Sequence, residues 1–209
     1  QTCALTIFIG GNIIGSSNGT SVNIAWNNIG IATVTLSESN SFGCDSTVTL
    51  TINVTGVPTP SMTGTPKTCV EEIREYSVPE VSNHTYSWSV TNGSIVGFAI
   101  GHTIQVYWST PGNGYVSCRE YSPEGCDSLT GMFVQIDPKP NTAILGPSSI
   151  CENELSSFAV NPSAGSSYSW SINGGTALSS FTGTVFAAGW QSTSGSIILT
   201  ETDINGCIN

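Results

Sequence analysis

The sequence predicts an all-β protein made of tandem antiparallel β-sandwiches, each about 82 residues long. The first observation is a repeat, because Thr85–Val90 (TYSWSV) returns 82 residues later as Ser167–Ile172 (SYSWSI). The second is an alternation of apolar and polar residues with a period of two, which is typical of half-buried strands. The third is the frequency of Gly and Pro, which interrupt the chain before a helical period develops.

The repeat must be defined before any single motif is interpreted. Five sets of residues share one frame, and the sets with a member in the last copy after Trp190 are spaced by 82 and then 81 residues. The frame predicts the C-terminal part of a repeat at 1–56, a complete repeat at 57–138 and a repeat without its last strand at 139–209. We expect the chain to be a segment of a longer array. The sets are Trp88 and Trp170; Trp26, Trp108 and Trp190; Cys69 and Cys151; Cys44, Cys126 and Cys207; and Glu38, Glu120 and Glu201.

The elements of the first repeat are strands joined by turns. Val22–Trp26, Ala32–Leu36 and Thr47–Val54 alternate in polarity and are rich in Thr and β-branched residues, which favours strand. Asn40–Asp45 is a turn sequence between the last two. The prolines of Gly56–Pro60 stiffen the linker that follows, because each fixes its own φ and biases its predecessor to an extended conformation.

The second repeat contains six predicted strands, followed by a linker at Asp137–Pro140. Short strands with turns every 8–12 residues or so are typical of an immunoglobulin-like (Ig-like) sandwich, whose third strand carries a core tryptophan. We therefore expect Trp88 and Trp170 to pack between the sheets. The strand parity also directs Trp26, Trp108 and Trp190 inward. The predicted strands lie near Cys69 and at Glu75–Pro79, Thr85–Thr91, Thr103–Ser109, Gly114–Tyr121 and Leu129–Ile136.

The composition excludes several functions. Only 9% of residues are charged and the net charge is −10, against roughly 25% charged residues in an average domain. Lys67, Arg74, Arg119 and Lys139 are the only strong cations, too few for a nucleic-acid or anionic-lipid surface. No apolar run approaches the length of a membrane span. Seven cysteines at repeating positions indicate an oxidising, extracellular setting.

The sequence resembles a known family of repeats. Ile150–Glu154, Tyr168–Trp170, Val185–Trp190 and Asn205–Cys207 match the pattern of PKD-like Ig-fold repeats in very large secreted surface proteins of Bacteroidota, including gliding-motility adhesins exported by the type IX secretion system. The resemblance covers essentially the whole chain, although Thr6 occupies the tryptophan position of the first copy. It implies a non-enzymatic stalk or adhesin at the cell surface of a Gram-negative bacterium. Its partners would be neighbouring repeats of the same chain and a surface or glycan ligand.

The cysteines are predicted to form crosslinks inside repeats. In an Ig-like sandwich, the start of the first strand and the turn between the last two strands lie at the same end. This topology predicts Cys69–Cys126 and Cys151–Cys207, each stabilising by about 4 kcal/mol on the chain-entropy model. Cys3–Cys44 is a further candidate pair, and the alternative is a partner for Cys44 upstream of Gln1. Cys118 takes the position of Leu36 and Leu199 and is predicted to be a buried free thiol.

Metal binding and catalysis find little support. The cysteine spacing lacks the Cys-x-x-Cys of a zinc site. A cysteine nucleophile needs a base, and the two histidines, His84 and His102, do not recur in the other copies. We therefore expect no enzyme activity and no cofactor. Calcium stays an alternative, because Asp137, Glu152 and Glu154 lie near linkers and carry hard oxygen ligands.

Two further hypotheses concern sugars. Ser46 and Ser128 occupy equivalent positions after an aspartate, in a pattern that resembles the O-glycosylation acceptor of Bacteroidota; the alternative is a turn aspartate with its following serine. The runner-up function is a carbohydrate-binding accessory module of a secreted hydrolase. That function needs an exposed planar set of aromatic side chains, whereas a stalk needs its tryptophans buried.

Overall fold

The computed structural model describes residues 2–17, 19–151, 153–191 and 194–209, with the backbone alone for 2–9. The described residues form nineteen strands and no helix, so the prediction of an all-β protein is confirmed. The strands are β1 (Thr2–Ile9), β2 (Gly11–Ile14), β3 (Asn23–Trp26), β4 (Gly30–Ser39), β5 (Asp45–Val54), β6 (Thr63–Gly64), β7 (Lys67–Cys69), β8 (Glu72–Ser77), β9 (Thr85–Thr91), β10 (Ser94–Val96), β11 (Thr103–Trp108), β12 (Gly112–Tyr121), β13 (Asp127–Asp137), β14 (Ile144–Leu145), β15 (Leu155–Val160), β16 (Ser167–Asn173), β17 (Gly175–Ala177), β18 (Val185–Trp190) and β19 (Ser196–Thr202).

The chain divides into two compact units. The first comprises Gln1–Thr59 with the short segments Val81–Thr85 and Glu120–Ser128. The second comprises Pro60–Glu80, Tyr86–Arg119 and Leu129–Asn209. The second unit therefore holds most of the second repeat and all of the third.

The first unit has a three-stranded antiparallel sheet, β1-β4-β5, and a separate two-stranded ribbon, β2-β3. On the sheet Ala32 is buried, but Val48 and Leu50 are exposed. Trp26 pairs with Gly11 on the ribbon and is only half-buried. The prediction of Trp26 as a core residue is thus wrong, because a two-stranded ribbon offers fewer covering side chains than a sandwich.

The second repeat is a sandwich of two four-stranded sheets, β10-β11-β8-β6 and β7-β13-β12-β9. Tyr76 and Trp108 from the first sheet meet Trp88, Val116 and other residues from the second in one buried cluster. Trp108 is fully buried and packs edge-on against Tyr76, with ring centroids 6.1 Å apart. Gly93 and Gly114 lie against its indole ring, and a Cβ at either position would collide with the ring.

The third repeat has one four-stranded sheet, β14-β15-β18-β17, and one two-stranded sheet, β16-β19. Trp170 is buried and stacks on Phe186 at 5.5 Å between centroids. In the described part of this repeat, no strand takes the positions that β7 and β13 hold in the second repeat. Trp190 is therefore half-buried, unlike its equivalent Trp108, and its assignment to the closed core is wrong.

Replacing Trp108 with alanine should destabilise the second repeat by about 3–5 kcal/mol, since it deletes a large and fully buried aromatic side chain. Chemical denaturation of the purified chain measures the loss. Phe98→Ala is the matched control, because Phe98 is 85% exposed, and we expect it to change stability by about 0.5 kcal/mol or less. Equal losses in the two variants would contradict the core described above.

Candidate functional site

A disulfide joins Cys69 of the second repeat to Cys207 of the third, 138 residues further along the chain. Cys69 is the last residue of β7, and Cys207 lies in the turn after β19. Both cysteines are buried. The structure thus crosslinks two successive repeats, and we call the residues around this bond, Lys67, Cys69, Asp137, Asn205 and Cys207, the junction cluster.

The two predicted pairings, Cys69–Cys126 and Cys151–Cys207, are wrong. Cys126 and Cys151 keep their thiols. The cause is the parallel register of β7 and β13, which sets Cys69 opposite Asp137, the last residue of β13. Cys126 immediately precedes the first residue of this eleven-residue strand, which spans about 33 Å. Cys69 therefore lies at the end of β13 from which the chain enters the third repeat.

The end of β7 is fixed by a carboxylate. Glu72 Oε2 accepts hydrogen bonds from the Cys69 backbone N–H at 3.1 Å and from the Thr68 hydroxyl at 2.7 Å. Arg74 Nη2 lies 2.5 Å from the same oxygen. Partial burial raises the pKa of Glu72, but the bonds from Thr68 and Cys69 and the Arg74 guanidinium together hold it below its ordinary value of 4.5. An ionised Glu72 therefore orients the cysteine.

Ion pairs surround the crosslink. Lys67 Nζ lies 3.2 Å from Asp137 Oδ2 and donates to Asn205 Oδ1 at 2.8 Å, so it contacts both repeats. Lys139 on the linker pairs with Glu71 at 2.6 Å. Lys67 and Lys139 are half of the four strong cations in the chain, which gives this junction a large share of a scarce residue type. Exposed pairs contribute only about 0–1 kcal/mol each, so the disulfide is the stronger connection.

The turn that carries Cys207 is held by its own side chain. Asp203 Oδ1 accepts the backbone N–H groups of Asn205 and Cys207, each at 2.8 Å. Gly206 has a φ of 85°, a conformation that favours glycine. Cys207 is fully buried, and its sulfur lies 4.0 Å from the Asp137 carbonyl oxygen. The turn thus presents the thiol to Cys69 in a fixed geometry.

A buried carboxylate ties the linker to the third repeat. Glu201 is 1% exposed; it accepts a hydrogen bond from Thr142 on the linker side and another from the Tyr168 hydroxyl at 3.2 Å. Burial raises the pKa of Glu201, but the surrounding polar groups of Ser166, Thr142, Ser163 and Tyr168 outweigh it and hold the pKa below 4.5. The frame marked this residue, and the structure gives it a role in anchoring the linker.

The other predicted site residues lie apart from the junction cluster. Cys118 is a fully buried thiol on β12, and Cys44 is an exposed thiol in the first unit. The side chain of Cys3 and all of Glu152 lie outside the described residues. Ser46 is exposed at the start of β5, whereas Ser128 at the start of β13 is half-buried. Neither serine lies in the junction cluster.

The acidic and histidine side chains are engaged with one another or with the backbone. His84 Nδ1 lies 2.6 Å from the buried Glu120, and His102 lies 3.8 Å from Glu80. Asp137, a candidate calcium ligand, is neutralised by a lysine ammonium. Among the described side chains, no group of three or more His, Cys, Asp and Glu could hold a metal ion. The same residues include no helix long and apolar enough to cross a membrane.

Sequence reasoning missed Lys67, Glu72 and Asn205. One signal was available: Cys69 and Cys151 are each followed three residues later by glutamate, Glu72 and Glu154. A recurring Cys-x-x-Glu indicates a carboxylate that binds the backbone near the cysteine. Lys67 and Asn205 have no recurring counterpart of this kind, so the frame alone could not identify them.

No family model matches the chain, and no curated protein matches it. Three solved structures illustrate its similarity to known folds. The human desmocollin-1 ectodomain is 10% identical with a TM-score of 0.27, covering 99% of this chain and 50% of its own. Invasin, a bacterial integrin-binding protein, is 13% identical with a TM-score of 0.34, covering 100% and 50%. A Bacteroides ovatus protein, SGBP-B of a mixed-linkage glucan utilization locus, solved with a heptasaccharide, is 13% identical with a TM-score of 0.23, covering 99% and 56%. This chain thus spans about half the length of each, and likenesses at these TM-scores carry no argument about function.

Acid should weaken the attachment of the linker. Because the pKa of Glu201 is lowered in the folded state, its contribution to stability is present above the ordinary value and is lost as the pH falls through the folded value. We expect the melting temperature of the third repeat to fall as the pH drops below about 4.5. Thermal melts followed by tryptophan fluorescence between pH 7 and pH 3 measure the dependence.

Glu201→Gln should flatten this dependence, with the remainder contributed by Glu72, whose pKa is also lowered. Thr142→Val removes one donor to Glu201 and should flatten the curve by a smaller amount. A Glu201→Gln variant that keeps the full acid sensitivity of the natural chain would show that another group controls it.

Proposed function

We propose that the chain is a non-enzymatic extracellular segment of a repetitive surface protein, and that it provides reach, stiffness and adhesion. The observation that carries this proposal is the Cys69–Cys207 bond, because it connects one repeat to the next. A bond inside a domain stabilises that domain alone. A bond between successive domains restricts the junction itself, which is the property that a stalk requires.

The crosslink changes how the chain carries tension. Force applied at the two ends passes through residues 1–69, crosses the disulfide to Cys207, and leaves at the C-terminus. The 138-residue separation between the two cysteines is then excluded from extension. On the chain-entropy model a loop of that length is stabilised by about 5 kcal/mol, somewhat more than either intrarepeat pair would have provided. The second and third repeats are therefore protected as one segment.

The proposed setting is the cell surface. A structural disulfide persists in an oxidising compartment, and the low content of charged residues suits a polar surface made of hydroxyl and amide groups. The partners would be neighbouring repeats of the same chain together with a surface or glycan ligand. The finer assignment, to a Gram-negative gliding adhesin exported by the type IX system, rests on the resemblance of the repeats. Ser46, exposed at the start of β5, is the better placed of the two O-glycosylation candidates.

Single-molecule pulling from residue 1 to residue 209 tests the mechanical proposal. We expect the oxidised chain to release only the residues outside the crosslink. Adding a reductant should lengthen the total extension by about 450–500 Å, the contour of the 138-residue separation at roughly 3.3–3.6 Å per residue.

The variant Cys69→Ser should show the longer extension without a reductant. The variant Cys44→Ser is the control, because Cys44 is already a thiol, and it should behave like the natural chain. An oxidised chain that extends as far as the reduced chain would overturn the proposal.

A carbohydrate-binding accessory module is the second candidate function, and one observation favours it. Trp190 is half-buried and lines a cleft of about 690 Å³ together with Phe158 and Ile197. An aromatic ring in such a cleft is a plausible surface for a sugar. Against it, Trp88, Trp108 and Trp170 are buried, so they cannot form the planar exposed set that such a module needs.

Titration with a panel of soluble oligosaccharides separates the two functions. We expect no saturable change in tryptophan fluorescence, because the described cleft presents one partly exposed indole ring rather than a row of them. Saturable binding that is lost in Trp190→Ala and retained in Cys44→Ser would favour the carbohydrate module.

A further inference from the structure

The cysteines occupy two kinds of position in the repeat. Cys69 and Cys151 lie at or near the first strand of the second and third repeats, and we call them first-strand cysteines. Cys44, Cys126 and Cys207 follow a glycine in the last turn of the first, second and third repeats, and we call them turn cysteines. The observed disulfide joins the first-strand cysteine of one repeat to the turn cysteine of the next.

Cys151 has the same local hydrogen bond as Cys69. Its backbone N–H donates to Glu154 Oε2 at 3.2 Å, as that of Cys69 donates to Glu72 Oε2 at 3.1 Å. Cys69 is bonded and buried, whereas Cys151 is a thiol exposed to solvent. The two first-strand cysteines therefore share one backbone arrangement and differ in whether a partner is present.

The residues that follow the two cysteines agree as well. Glu71 and Asn153 both adopt a left-handed conformation, with φ of 67° and 66°. The N–H of Glu71 donates to the Trp108 carbonyl at 2.6 Å, and that of Asn153 donates to the Trp190 carbonyl at 3.0 Å. Neither glutamate nor asparagine adopts this conformation without a local cause. The correspondence of the two sites thus extends beyond the cysteines.

The three turns are also built alike. They are Asn40–Cys44, Ser122–Cys126 and Asp203–Cys207. In that order, the N–H of the first residue donates to the cysteine carbonyl at 3.1, 2.8 and 3.0 Å, and the glycine N–H donates to the first carbonyl at 3.1, 3.0 and 3.0 Å. The glycine φ values are 78°, 86° and 85°. Cys44 and Cys126 are therefore held in turns equivalent to the one that presents Cys207.

The surface beside Cys151 is open. Cys151 lines the cleft of about 690 Å³ together with Ile150 and Trp190. In the second repeat the equivalent surface is closed by β13 and β7, and Trp108 beneath it is fully buried. The cleft is apolar and elongated along β19, as the slot for a strand and the turn beyond it should be.

We propose that the Cys69–Cys207 bond is one member of a series, in which every first-strand cysteine bonds the turn cysteine of the following repeat. This deepens the proposed function and rests on it. Cys151 then bonds a turn cysteine in a following copy of the repeat, and Cys126 bonds a first-strand cysteine in the copy that precedes the second. Each bond forms from two thiols by exchange with an oxidised low-molecular-weight disulfide, which takes up the two electrons and two protons as two free thiols.

The repeat frame allows a direct test, because Asn209 is equivalent to Ser128. Residues 129–209 are appended to Asn209, which supplies a strand equivalent to β13, a linker and a further turn cysteine. In the appended copy, Cys151→Ser removes a competing thiol and Ile208→Val marks the turn peptide by mass. The natural 209-residue chain and the extended chain are refolded in a glutathione redox buffer, alkylated and analysed by non-reducing peptide mapping.

We expect Cys151 to be alkylated in the natural chain and linked to the appended Cys207 in the extended chain, with Cys69 linked to the original Cys207 in both. A Cys151 that remains alkylated in a folded extended chain, or that bonds the original Cys207, would overturn the series. The pulling experiment depends only on Cys69 and Cys207. Its success together with an unreacted Cys151 would leave the stalk intact and refute the series.

A second variant tests the other side and does not require the appended segment to fold. Residues 57–82 are placed before Gln1, which is equivalent to Asn83, so that a copy of Cys69 becomes the first-strand cysteine of the first repeat. We expect this cysteine to bond Cys126, with Cys44 still alkylated. A bond to Cys44 instead would show pairing within a repeat and would contradict the proposal.

Discussion

The parallel pairing of β7 with the last residues of β13 determines how the cysteines meet. It places Cys69 beside Asp137, where the chain leaves the second repeat and enters the third. A turn cysteine from the third repeat can reach that point, whereas Cys126 precedes the opposite end of β13. The same strand also closes the core of the second repeat, since Val134 and Ile136 belong to the buried cluster around Trp108. One strand thus completes a sandwich and selects the partner of its crosslink.

Much of the fold could be predicted from the sequence, because alternation and turn residues act locally. The strands β9, β11, β12 and β13 lie where the alternation indicated them. Trp88 and Trp170 are buried because their parity reflects which face of a strand meets the opposite sheet. The short strands were less visible. β6 and β10 have two and three residues, too few to show a period of two.

The crosslink could not be predicted, for a reason that lies in the repeat itself. Cysteines at equal intervals give the same spacing pattern whether they pair within a repeat or with the next one, so the spacing does not distinguish the two pairings. The deciding fact is the register of a three-residue strand, β7. Trp190 shows a related limit. Its parity is the same as that of Trp108, but its burial depends on a neighbouring strand rather than on its own sequence position.

Two covalent connections run between the second and third repeats: the peptide linker with its prolines at 138 and 140, and the disulfide. A single connection behaves as a ball joint, which leaves the second body free to bend in two directions and to twist. A second connection at a different point turns the ball joint into a door hinge, with rotation about one axis alone. The contacts of Lys67 with Asp137 and Asn205 lie beside that axis and resist the remaining rotation. A chain of such hinges would have preferred planes of bending, as a bicycle chain does and a string of beads does not.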